Sequence, residues 1–115
     1  MEQIKTEDYC IWHDPERATI FFQGALRLKG VEHYQLLEQL LNDIADCEPP
    51  ILTLNLQELE FLNSSGINVL SKFVLKVRQK GNVQMLIKGS KDISWQERTL
   101  KNLQRLMVNL QLEFI

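Results

Sequence analysis

Cysteine is scarce in this chain of 115 residues: Cys10 and Cys47 stand alone, outside any Cys-x-x-Cys pair. That argues against a disulfide framework and a thiolate metal site, and for two free thiols in a reducing compartment. Histidine is as sparse. His13 and His33 have no Ser or Cys nucleophile close in sequence, so no catalytic constellation forms around them. The Gly-x-Ser-x-Gly elbow is missing, and so is the glycine-rich phosphate loop that ends in Lys-Ser/Thr. Glu58 and Glu60 lie two apart but have no metal-binding company, and they read as a solvated edge. No apolar run approaches the roughly 20 residues of a membrane-spanning helix. The opening stretch, Met1 to Asp8, is polar and acidic, unlike a secretory signal. The expectation is a soluble cytoplasmic chain that is not an enzyme, does not insert into membranes and needs neither metal nor cofactor.

What is present suits one compact domain spanning residues 1–115, with an apolar fraction of 44%. The net charge of −2 hides an uneven distribution. Residues 1–71 carry 12 acidic and 4 basic side chains, whereas residues 72–115 carry 3 acidic and 9 basic ones. This is either an ordinary difference between solvated helix faces or a basic flank, including Lys72, Lys76, Arg78 and Lys80, that steers an acidic protein partner. Nucleic acid is not indicated, because the balance is acidic and aromatic residues do not interleave with the basic ones. Trp12 and Trp95 read as part-core or interface residues.

The apolar periodicity switches repeatedly between two and about 3.6 residues. Tyr9 to His13 and Ala18 to Leu28 read as strands joined by the Asp14-Pro15-Glu16-Arg17 turn, an antiparallel hairpin. Gly24 within the second signals a bulge or a close backbone approach. Tyr34, Leu37, Leu41 and Ile44 place a helix over Val31 to Asp46, stopped by Pro49-Pro50. Ile67, Leu70, Val74 and Val77, with Phe73 alongside, give a second helix that ends at Gly81. Val83, Met85 and Ile87 alternate as a strand. Leu100, Leu103, Met107 and Leu110 predict a third helix, and Leu112 with Phe114 a closing strand. The order β-β-α-β-α-β-α-β makes this an α/β domain with a mixed sheet, since strands separated by helices ask for parallel pairing.

The most informative stretch is Leu52 to Gly66. Leu52, Leu54 and Leu56 alternate as a strand, Leu59 and Phe61 carry apolar character on through a turn, and Asn63-Ser64-Ser65-Gly66 opens the second helix. This junction gathers serine hydroxyls and unpaired backbone N–H groups at the positive end of a helix. By itself Asn-Ser-Ser-Gly is what an ordinary N-cap looks like.

In its frame, the segment resembles the signature of STAS domains, especially the small bacterial anti-sigma factor antagonists. Leu56, Phe61, Ser64, Ser65 and Gly66 match that pattern at the right spacing. Asn55 and Asn63 stand where the family has Asp, and in Gly24-Ala25-Leu26 the customary acidic or polar neighbours are replaced by Ala25 and Arg27. The resemblance implies a single STAS-like domain that acts by partner switching, with Ser64 as the phosphorylated position and Asn55, Asn63, Ser64, Ser65 and Gly66 at the partner surface. The partners it implies are an anti-sigma factor or serine kinase with a GHKL-type ATP fold, and an opposing PP2C-type phosphatase. Stand-alone STAS proteins also serve as accessory subunits of lipid-transporting ABC systems and as stressosome-like scaffolds, so those readings stay open. Asn keeps the size and hydrogen bonding of Asp, so both departures are expected to spare the fold and to remove charge near Ser64.

Overall fold

The computed structural model describes residues 3–115. Six strands form one sheet in chain order: β1 (Gln3–Lys5), β2 (Tyr9–Asp14), β3 (Thr19–Leu26), β4 (Ile51–Leu62), β5 (Gln84–Gly89) and β6 (Leu110–Phe114). The first three pair antiparallel, and β3 to β6 pair parallel. Helices α1 (Gln35–Asp46), α2 (Ser64–Lys80) and α3 (Gln96–Gln104) connect the parallel strands. Helix α1 packs on α2, and α2 on α3. All three therefore cover the same face, as same-handed crossovers between successive neighbours require. The expected α/β class and mixed sheet are observed, with one short strand, β1, added at an edge. Its Gln-Ile-Lys is too short to show a period, so pairing with β2 decides it.

Alternation explains which side of the sheet is buried. Ile11, Ile20, Phe22, Leu52, Leu54, Leu56, Met85 and Ile87 all lie beneath the helices. On the open face a row runs Trp12, Phe21, Asn55, Lys88 and Glu113 across five strands. Trp12 and Phe21 stack there with ring centroids 5.0 Å apart.

Two boundaries and one buried stripe differ from the sequence reading. The first helix begins as a 3-10 turn at Val31–Tyr34 before α1 starts. Helix α3 ends at Gln104, so Met107 and Leu110 fill the core from a loop and from β6. In α2 the buried stripe runs through Val69 as well as Leu70, Phe73, Val74 and Val77, and Ile67 is only half-buried. Gly81 does end α2, at φ 80 in the left-handed region.

The larger correction concerns the turn expected after Leu56. The chain makes none: β4 is a single strand of 12 residues. Its register against β3 slips twice, because two residues of β3 span three of β4 between Phe21 and Gln23, and one spans two between Gly24 and Ala25. Each slip is a bulge that inserts a residue into β4. The buried leucines accordingly step from Leu54 and Leu56 to Leu59 and Leu62, a spacing of three that imitates a turn in sequence. Gly24, at φ 94, sits at the second slip, where a side chain would strike the Asp8 carbonyl.

Pairing of β4 with β5 stops at Asn55, so the rest of β4 has no ladder partner on that side, and the start of α3 supplies one. Gln96 is fully buried. Its Nε2 donates to Leu56 O at 2.7 Å and Leu59 O at 3.0 Å, while its Oε1 accepts from Ser90 N at 2.7 Å. Trp95 Nε1 donates to Glu60 O at 2.8 Å. Asn55 Oδ1 accepts from Gln57 N at 3.1 Å. Gln96→Ala strands two carbonyls and an amide, and it is expected to cost about 2–4 kcal/mol of stability. Urea unfolding measures this, and a loss below about 1 kcal/mol contradicts the latch.

The C-terminal ends of α1 and α2 are joined through Asp46, whose carboxylate meets Lys80 at 2.9 Å and Lys76 at 3.2 Å. Hydrogen bonds from Lys80 and Lys76 hold Asp46 below the usual carboxylate range, and the same contact raises Lys80. A depressed carboxyl stabilises the fold above its unfolded value and loses that contribution as pH falls through the folded one. The thermal midpoint of Asp46→Asn should therefore lie slightly below wild type near pH 7, with the gap closing below about pH 4. A gap that is unchanged or widens in acid contradicts this.

Candidate functional site

The junction of β4 and α2 is built around one side chain. Asn63, in extended conformation at the N-cap, uses its Oδ1 to accept from Gly66 N at 2.9 Å. The same oxygen accepts from the Tyr34 hydroxyl at 2.8 Å. Its Nδ2 donates to Leu28 O at 2.8 Å, and its backbone N donates to Leu26 O at 3.1 Å. The cap thus ties together the end of β3, the 3-10 turn before α1 and the first turn of α2. Tyr34 is fully buried. Burial raises its phenol above the usual value, opposed by a hydrogen bond with the Leu28 backbone and reinforced by Tyr9.

Ser64, the first residue of α2, is exposed, Ser65 is half-buried and Gly66 is buried. The first two amides of the helix, those of Ser64 and Ser65, precede any intrahelical acceptor. The next two are taken: Gly66 N by the Asn63 side chain, and Ile67 N by Asn63 O at 2.9 Å. Ser64 is therefore presented outward from a fixed frame. Gly66 faces inward, where a Cβ would press on Leu62 and come within 3.0 Å of the Tyr34 hydroxyl. Its lack of a side chain lets α2 close onto Tyr34.

Asn63, Ser64, Ser65 and Gly66 come together, but Asn55 does not join them. Asn55 pairs with Phe21 and Leu62 with Leu26. At about 3.3 Å per residue of β3, Asn55 is roughly 20 Å from Ser64. It lies on the open face and closes the first bulge through Gln57 N, a task that an Asp oxygen performs equally well.

Asn63 is different. The Leu28 carbonyl needs a donor, and a carboxylate has none to offer. The expectation that Asp and Asn are interchangeable at the cap therefore fails at this atom. Asn63→Asp should gain about 0.3–1 kcal/mol from the helix dipole but lose more by setting an oxygen against Leu28 O. A net loss of about 1–2 kcal/mol is expected by denaturant unfolding. A variant as stable as wild type contradicts this assignment of the amide.

Sequence reasoning missed Tyr34 as a partner of the cap, although a tyrosine at an otherwise aliphatic core position signals a hydroxyl that needs an acceptor. It also missed the exposed pair beside the cap, in which the Arg27 guanidinium carbon lies 4.9 Å from the centroid of the Phe61 ring. Among the described residues no His, Cys, Asp or Glu group is arranged to hold a metal ion, and no helix is long and apolar enough to cross a membrane.

A family model described as the STAS domain matches residues 21–111. A search of curated proteins gives no match. Among solved structures, a chain in the crystal structure of the diguanylate cyclase SiaD in complex with its activator SiaC, from Pseudomonas aeruginosa, superposes with a TM-score of 0.75 at 14% identity, covering 100% of both chains. Apo-SiaC from the same organism gives 0.72 at 12% identity, covering 99% of this chain and 98% of that one. An anti-sigma factor antagonist from Mycobacterium paratuberculosis gives 0.61 at 16% identity, covering 96% and 82%. At these identities the likeness is one of fold.

Proposed function

The chain belongs to the STAS domain family, and on that premise we propose that it is a regulatory protein-binding module of the anti-sigma factor antagonist type, released from its partner when Ser64 is phosphorylated. The observation that carries this reading is the exposed Ser64 on a cap held by four hydrogen bonds. A phosphoryl group adds about −1.5 to −2 charge and three acceptor oxygens. Placed on a rigid frame, it changes the contact surface and leaves the core alone. The domain itself performs no catalysis in this scheme. The kinase, of GHKL type, is either the anti-sigma partner or its associate, and a PP2C-type phosphatase resets the switch.

The likeness to the structure of an activator bound to a diguanylate cyclase favours a second form of the same reading, in which the partner is a signalling enzyme. Either form requires a surface that binds in one state of Ser64 and not in the other. An ABC-transporter subunit or a constitutive scaffold does not.

Ser64→Ala should retain the partner, and Ser64→Asp should weaken binding about tenfold or more, which is about 1.4 kcal/mol. Pull-down from cell extract followed by titration with the captured partner measures this. Equal binding by both variants, together with an unmodified Ser64 after incubation with the cognate kinase, overturns the switch and leaves the scaffold and transporter readings.

A further inference from the structure

The residues that wrap around Asn63 bring the backbone of two cationic residues, Arg27 and Lys29, close to that of Ser64. Asn63 N bonds to Leu26 O and its side chain to Leu28 O, so Arg27 is bracketed by two contacts to the residue next to Ser64. Ser64 Cα is one peptide further on, about 3.8 Å. Arg27 and Lys29 are both exposed. Among the described residues, neither has a carboxylate within 4.0 Å. Glu32, three residues after Lys29, and Glu60, four residues before Ser64, make no such contact, and Glu32 instead turns toward His33 at 4.0 Å. The Arg27 guanidinium is nevertheless not loose, because it rests on the face of Phe61, which is 40% exposed. A cation on an aromatic face keeps its fork of N–H donors free for an anion.

We propose that Arg27, held over Phe61 and assisted by Lys29, receives the phosphoryl group of Ser64, so that the modified state is an intramolecular clamp. This rests on Ser64 being the modified residue. In the unmodified chain Arg27 is free to meet a carboxylate of the partner. Phosphorylation removes it from that surface and adds negative charge beside it.

The test uses the full chain with phosphoserine installed at position 64 by genetic encoding, so its outcome does not depend on any kinase or partner. Phosphorus NMR follows the second ionisation of the phosphoryl group, near 6 when unperturbed. In the wild-type background the midpoint should fall about 0.5–1 pH unit below that of Arg27→Gln. Arg27→Lys should recover part of the difference, since it keeps the charge and loses the fork. Lys29→Gln should have a smaller effect, and 1 M salt should shrink all of them. Midpoints of wild type, Arg27→Gln and Arg27→Lys within 0.1 unit of one another overturn the clamp. A clamp seen here alongside a Ser64 that no cognate kinase modifies would fault the proposed switch instead, so the two failures are separable.

Discussion

The hydrogen bond from the Asn63 amide to the Leu28 carbonyl, at 2.8 Å, is the contact on which the geometry of the site depends. Without it the chain leaving β3 is tied to the start of α2 only by the backbone bond from Asn63 N to Leu26 O. With it, the Tyr34 hydroxyl, Leu28 and the first turn of α2 share one side chain, and Ser64 inherits a defined position. Each neutral hydrogen bond contributes only about 0.5–1.5 kcal/mol net. Their joint effect is geometric: three segments that meet at one residue cannot move separately. Gly66 completes the arrangement by letting the helix sit against Tyr34.

A second constraint lies further down the same strand. Two bulges lengthen β4 relative to β3 and allow a strand of 12 residues to carry its last leucine to the helix junction. Beyond Asn55 the same strand has no partner on the β5 side, and Gln96 and Trp95 satisfy its carbonyls from the start of α3. The central strand is thereby tied to the β3 side at its end and to the α3 side along Leu56 to Glu60. Ser64 stands above a strand anchored from both directions, which is why added charge there is expected to act at the surface.

The fold was largely legible in sequence because two periods alternate cleanly, and α1, α2, β5 and the hairpin of β2 and β3 follow from them. What escaped has physical reasons. A bulge spaces Leu56, Leu59 and Leu62 three apart, which looks like a turn unless the partner strand is known. Met107 and Leu110 keep a helical spacing although the helix has ended, because the core needs apolar groups wherever the chain passes. The strand β1 exists only through its pairing. At the site, Ser64 and its cap were visible as a motif. The roles of Tyr34, Arg27 and the Asn63 amide were not, because each depends on a partner between 29 and 35 residues away in the chain. Its place in the motif groups Asn55 with the site, yet strand geometry sets it on the open face.

Two of the departures from the family pattern, Asn63 and Arg27, lie at the cap and beside it along the backbone and share a direction: a neutral amide and a cation stand where the family pattern is more acidic. The central claim is that a phosphoryl group at Ser64 alters this surface without remodelling the domain. Backbone amide NMR of the chain with and without phosphoserine at position 64, combined with amide hydrogen exchange, tests it most directly. The account predicts chemical-shift changes confined to residues 26–34 and 61–68, with exchange in β4, β5 and the buried half of α2 unchanged. Shift changes reaching α1 and β6, or exchange that quickens in β4 and α2, would contradict it and make the modification a conformational change.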